Sequence, residues 1–186
     1  MTEIRDLDGG AILAAYRDRT LSPRDVVADA LARIDRHGPD LDAFVLVDRD
    51  GALAAAAASE ARWARAEPLG PLDGLTFTVK DNVAWAGHPM RRGSLTTPDT
   101  PATESAPAVD RLVEAGAIPL AKTTMPEFGW KGLGDSTHTG ATRNPWDTRT
   151  TTGGSSAGAA AAAALNLGLL HIGTDGAGSV RIPASF

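Results

Sequence analysis

Three stretches of this sequence combine reactive residue types with a setting that suits chemistry. Lys80 closes the run Leu75-Thr-Phe-Thr-Val-Lys80 and so stands at the end of an apolar strand. A lysine drawn out of water is disfavoured in its charged form, so its pKa falls and it can act as a base. The plainer reading is a solvated lysine at a strand end. The second stretch is Thr151-Thr-Gly-Gly-Ser155-Ser156-Ala-Gly158, which runs into a string of alanines. Its plain reading is a serine-capped helix entry whose small residues let the helix approach a sheet. The third is Gly173-Thr-Asp-Gly-Ala-Gly-Ser179, an apolar strand entering a glycine-rich turn that presents a serine. Such a turn can aim successive backbone N–H groups at one point, where an oxyanion would sit, or it can be an ordinary tight turn.

Competing chemistries fail on the sequence. Gly154-Ser-Ser156-Ala-Gly158 matches the G-x-S-x-G nucleophile elbow, which needs a strand before it and an Asp and a His after it. Here Arg149-Thr-Thr-Thr precedes it, Asp175 is the only later Asp, and no His follows that Asp. A phosphate-binding loop needs a lysine in its glycine-rich segment, and neither segment has one. His37, His88, His138 and His171 lack metal-ligand spacing and read as surface or core residues. The net charge of −5 gives no reason to expect nucleic acid as a partner, and Arg91-Arg92 is an isolated pair. With no cysteine, disulfides and thiolate chemistry are excluded, and a reducing cytoplasm fits. Residues 1–8 are acidic and carry no apolar core of a signal peptide. The apolar stretch 157–172 is interrupted by Asn166 and His171 and reads as a helix and a strand rather than a membrane span.

The positioning elements follow from periodicity. Ser22-Pro23 starts a helix with Val26, Val27, Ala30, Leu31 and Ile34 on one face, and Gly38-Pro39 is expected to end it. Residues 43–47 read as a strand, 50–66 as an alanine-rich helix and 67–74 as a loop. Strands are then expected at 75–79, 118–121 and 169–173, and helices at 105–115 and 156–166, with Gly116 as a helix stop. Strands separated by helices predict an α/β architecture with a largely parallel sheet and the helical first segment packed outside it. The stretch 122–152, rich in Gly and Thr, resists placement, and a loop of that length is often functional.

Taken together, these stretches resemble the amidase signature family. The pattern is carried by Val79-Lys80-Asp81-Asn82, by Gly153-Gly154-Ser155-Ser156-Ala157-Gly158, and by Gly173-Thr174-Asp175-Gly176-Ala177-Gly178-Ser179-Val180-Arg181-Ile182-Pro183. Ser179 follows Ser155 by 24 residues, a family-like spacing, and Asn144-Pro145-Trp146 adds to the likeness. The resemblance implies Ser179 as nucleophile, Ser155 as a bridging serine on a cis peptide bond, and Lys80 as terminal base. It implies an oxyanion hole from the N–H groups of Gly176, Ala177 and Gly178, together with that of Ser179, and supporting roles for Thr174, Asp175, Arg181 and Ser156. Asp175 and Arg181 read as an ion pair holding the turn. Ala157 and Ala177 depart from the pattern, standing where glycine is usual, and Ala177 would be strained if it needed a positive φ.

The chemistry also stands on its own. A serine hydroxyl needs a base, and a neutral lysine can take its proton through a second serine and later return it to a leaving amine. No metal or organic cofactor is required. The implied fold is a mixed, largely parallel sheet flanked by helices, incomplete in this chain. Residues 1–70 would form a helical segment packed on the core, and 71–186 the first part of an α/β amidase core. Family members are much longer, so the chain is expected to be the N-terminal portion of a longer one. The leading expectation is an amidase acting on a small-molecule amide, with no nucleic acid contact, no membrane, and room for a homodimer. The alternatives are the glutaminase subunit of a tRNA amidotransferase complex and a noncatalytic fragment. Ile182-Pro183-Ala184-Ser185 and Phe128-Gly129-Trp130 look more like the general amidases. Residues 125–130 either line the pocket or pack in the core.

Overall fold

The computed structural model of the chain describes residues 3–186. Its first helix, α1 (Gly9–Arg17), is not announced by the sequence. Gly9 and Gly10 weaken the local helix signal, but Asp8 caps it by accepting the Ala11 N–H at 2.8 Å, and Ile12 and Tyr16, one turn apart, are buried. Helix α2 (Pro23–Leu41) starts as predicted, with Ser22 and Asp25 forming a reciprocal capping box at 3.2 and 2.9 Å.

Gly38-Pro39 does not end α2, which runs on to Leu41. Proline costs a helix its N–H donor and crowds the carbonyl four residues back. In the last turn that loss is confined to one bond, and it is offset by burial of Leu41 against the sheet. The helix stops at Asp42, which adopts the left-handed conformation and donates its N–H to the Gly38 carbonyl at 3.0 Å.

Strand β1 (Phe44–Val47), helix α3 (Arg49–Ala64), strand β2 (Thr76–Lys80), helix α4 (Pro107–Glu114) and strand β3 (Ile118–Thr123) follow. The refractory stretch contains two small ribbons. One pairs β4 (Asp135–Ser136) with β5 (Gly140–Ala141), the other β6 (Arg143–Asn144) with β7 (Asp147–Thr151). Hydroxyls tie it down: Thr124 and Thr142 bond at 2.7 Å, and Thr142 donates to the Asp42 carbonyl at 3.0 Å. Helix α5 (Ala157–Ala164), strand β8 (Leu170–Ile172) and the single turn α6 (Arg181–Ala184) complete the chain.

The main sheet has the order β1-β3-β2-β8, with β3, β2 and β8 parallel and β1 antiparallel at the edge. The segment 1–70 therefore contributes a strand as well as helices. Helices cover both faces. Val109 of α4 packs with Phe77 and Val79 on one face. On the other, Ala161 and Ala162 of α5 join Leu31 and Ile34 of α2 and Ala52 and Ala56 of α3 over Leu120 and Ala121. This is the expected mixed α/β fold with a mostly parallel sheet. Gly158 lets α5 seat this closely, because a Cβ there would run into the Ala43 carbonyl and the Thr124 N–H. Among the described residues no helix is long and apolar enough to cross a membrane.

Candidate active site

Lys80 occupies the last position of β2, a strand with neighbours on both sides, and its side chain is fully buried. Its Nζ lies 2.8 Å from Ser155 Oγ, 3.0 Å from Ser156 Oγ and 2.8 Å from Thr174 Oγ1. Burial lowers its pKa to about 8, and the more distant Asp175 charge opposes the fall. The lysine is thus surrounded by hydroxyls rather than held by a contacting carboxylate. Topology makes this possible: Lys80 ends β2, Ser155 and Ser156 lead into α5, and Thr174 follows β8, the neighbour of β2.

The hydroxyl protons are not equivalent. Ser156 Oγ donates to the Thr174 carbonyl at 3.3 Å and accepts the Thr174 N–H at 3.3 Å, so its proton is already committed. Ser155 Oγ has Lys80 as its only partner among the described residues. A neutral Lys80 offers one lone pair, and Ser155 is free to turn its proton onto it. The Gly154–Ser155 peptide bond is cis.

Ser179 sits half-buried at the end of the glycine-rich turn, after Gly178 with φ +110°. Its carbonyl accepts the Ser156 N–H at 3.0 Å, which ties the two Gly-Ser segments together. Its hydroxyl makes no hydrogen bond among the described residues, so the structure joins Lys80 to Ser155 directly but Ser179 to them through backbone.

Asp175 organises the turn. Its carboxylate accepts N–H groups from Gly178 at 2.7 Å, Val180 at 3.1 Å and Arg181 at 3.2 Å. It also takes a two-pronged contact from Arg181, Nε at 3.0 Å and Nη2 at 2.8 Å. The Arg181 guanidinium holds this carboxyl well below the usual carboxylate range. The predicted ion pair is formed. Because Gly178 N–H is engaged by Asp175, the free amides of the turn are those of Gly176, Ala177 and Ser179 among the described residues. Ala177 is not among the residues with positive φ.

Two contributors lie in stretches the sequence singled out without giving either residue a role of its own. Asn82 donates through Nδ2 to Thr174 Oγ1 at 3.2 Å and so helps place one of the lysine's partners; it lies within the Val79–Asn82 motif. Gly129 lies beside Ser155, where a Cβ would come within 3.2 Å of Oγ. Of the stretch 125–130, Met125 is buried, whereas Phe128 and Trp130 are exposed. His171, half-buried, shares a hydrogen bond with Thr78 Oγ1 through Nδ1 at 2.8 Å, and burial lowers its pKa to about 4, so it is neutral near pH 7. Among the described residues no group of three or more His, Asp or Glu side chains could hold a metal ion.

A family profile described as Amidase matches residues 25–186. The chain is 41% identical over 179 residues to an acylamidase of Rhodococcus erythropolis, covering 96% of this chain and 38% of that one. It is 45% identical over 171 residues to a glutamyl-tRNA(Gln) amidotransferase subunit of Azoarcus sp. (strain BH72), covering 92% and 35%. Its fold matches the native peptide amidase of Stenotrophomonas maltophilia with a TM-score of 0.89 at 33% identity, over 96% of this chain and 38% of that one. A bacterial aryl acylamidase of the amidase signature enzymes gives a TM-score of 0.89 at 33% identity, over 97% and 38%. The chain thus spans well under half the length of the relatives it matches. With the family profile over most of the chain and a fold shared at this identity, the chain belongs to the amidase family.

Proposed function

We propose that the protein is an amidase that hydrolyses a carboxylic amide to an acid and ammonia or an amine, through an acyl-enzyme on Ser179. The observation that carries this reading is the buried Lys80 Nζ, 2.8 Å from Ser155 Oγ and with a pKa of about 8. Ser179 Oγ attacks the amide carbonyl while its proton passes to Ser155 Oγ, and the Ser155 proton passes to neutral Lys80. The oxyanion is met by the free amides of Gly176 and Ala177, joined by that of Ser179 itself. Gly178 supports this arrangement indirectly, by fixing the turn through Asp175. The relay then runs backward and protonates the departing nitrogen, which leaves as the amine. Water attacks the acyl-enzyme along the same relay and releases the acid. Thr174 and Ser156 keep Lys80 aimed at Ser155, and no cofactor enters any step.

Release of ammonia or amine from a panel of linear amides tests this reading. Ser179→Ala is expected to abolish it, and undiminished turnover in that variant would sink the assignment. A second reading, the glutaminase subunit of an amidotransferase, draws on the 45% identity to the Azoarcus protein. Co-purification with a partner and a strict preference for glutamine would favour it over a stand-alone amidase.

A further inference from the structure

Residues 128–133 run past both serines of the relay while holding aromatic side chains out of the core. Gly129 lies beside Ser155, and a Cβ on it would come within 3.2 Å of Oγ. Three residues on, a Cβ on Gly132 would lie 3.4 Å from Ile182 Cδ1. That same methyl would lie 3.2 Å from a Cβ on Gly178, the residue before Ser179. Trp130 thus sits between a contact with Ser155 and a contact with the Ser179 turn. Consecutive Cα atoms are about 3.8 Å apart, so those of Phe128 and Trp130 lie within about 9 Å of Ser155 Oγ. Trp130 is 87% exposed and Phe128 47%. The backbone presenting them is strained and braced. Phe128 has φ +51° and Arg92 φ +54°, left-handed values that are unfavourable for a residue with a side chain. The two are joined, the Phe128 N–H donating to the Arg92 carbonyl at 2.8 Å. Ser94 Oγ donates to Glu127 Oε1 at 2.6 Å, and Asp81, next to Lys80, accepts the N–H groups of Arg91 and Gly93. Glycine would take the Phe128 φ without strain, and Phe128 is only half-buried, so core packing does not account for an aromatic residue here. Strain held in place by its surroundings marks backbone that sets the geometry of a site.

We infer that Phe128 and Trp130 determine specificity on the amine side of the substrate: they receive an N-aryl group, so the protein prefers anilides to primary amides and releases an aromatic amine. This rests on the relay proposed above. Once Ser179 Oγ is acylated, Ser155 Oγ is the hydroxyl that protonates the departing nitrogen, which therefore stands about 3 Å from it. Gly129, with no side chain, leaves space beside that oxygen, and the two aromatic residues flank the glycine. A group carried on the nitrogen meets these rings, and an aryl group gains an aromatic contact that a hydrogen does not.

The test is kcat/KM of the purified protein for acetanilide, acetamide and phenylacetamide, the last carrying its ring on the acyl side. The intrinsic reactivities of the three amides are the same for every variant, so a change in their ratios reports the aromatic residues. Trp130→Ala should lower the acetanilide-to-acetamide ratio about 3- to 10-fold, the worth of one aromatic pair, with the loss carried mainly by KM. Trp130→Phe should retain most of the preference. Phe128→Gly, which removes the ring while keeping a residue suited to the turn, should also lower the ratio, with circular dichroism verifying the fold of each variant. The phenylacetamide-to-acetamide ratio should change less in each case. An acetanilide ratio unchanged in Trp130→Ala and Phe128→Gly, or a larger fall in the phenylacetamide ratio, would overturn the inference while leaving the proposed hydrolysis standing. Absence of both turnover and Ser179 labelling by a fluorophosphonate in the wild type would overturn the relay itself, and the inference with it.

Discussion

At the residue scale the proposed chemistry rests on one unusual lysine. Lys80 must be neutral to take a proton, and burial brings its pKa to about 8, so turnover should rise with pH and reach half its plateau near pH 8. A flat rate from pH 6 to 10 would contradict the assignment. The same shift has a stability consequence. The folded pKa is depressed below the unfolded value of 10.5, so below pH 8 the folded chain bears the cost of a buried charge, and the cost is relieved as pH rises toward 10.5. Relative to Lys80→Met, the wild type should therefore gain thermal stability between pH 7 and pH 10, measured as the difference in Tm. In turnover, Lys80→Met should lose about 100- to 10,000-fold, the usual worth of a positioned general base. The turn gives a second contrast. Asp175 holds three backbone N–H groups in addition to Arg181, so Asp175→Ala should lower both Tm and rate more than Arg181→Ala. Equal effects would show that the ion pair, not the amide contacts, fixes the turn.

At the element scale, the site exists because three connections converge at the C-terminal ends of parallel strands. Close approach of α5 is part of that. Gly158→Val should destabilise the fold by about 1–3 kcal/mol or more through overpacking against the Ala43 carbonyl and Thr124, read as a lower urea midpoint. An unchanged midpoint would mean that α5 can shift without cost. Much of this level was legible in the sequence. The strand before Lys80 and the poly-alanine helix announced themselves by composition, and the Gly-Ser stretches marked where they turn. What was not legible depended on distant partners. Helix α1 is held by burial of Ile12 and Tyr16 rather than by propensity. Helix α2 runs through Pro39 because Leu41 finds a core place. The Thr-rich stretch is ordered by hydroxyl contacts such as Thr124–Thr142 that no periodicity encodes. Likewise, the commitment of Gly178 N–H to Asp175 emerges only from the folded turn.

At the scale of the whole molecule, the chain presents large apolar side chains to solvent. Trp130 is 87% exposed, Trp146 75% and Phe186 60%, and Val180 and Phe186 help line an apolar groove beside α5. Among the described residues β8 pairs on one side only, with β2. Exposed apolar surface of this kind marks contact sites or promotes self-association. The chain alone should bind a hydrophobic dye such as ANS and sediment as a concentration-dependent mixture; a dye-silent, strictly monomeric species would contradict this. Lys80, Ser155 and Ser179 nevertheless all lie within these 186 residues, Lys80 at the end of β2, Ser155 ahead of α5 and Ser179 in the turn after β8. The decisive experiment is therefore to treat the chain with a fluorophosphonate near pH 9 and map the adduct by peptide mass. A single adduct on Ser179 is expected, absent in Ser179→Ala and strongly slowed in Lys80→Met. An adduct on Ser155 or Ser156 instead, or labelling that persists in Ser179→Ala, would contradict the assignment of Ser179 as nucleophile.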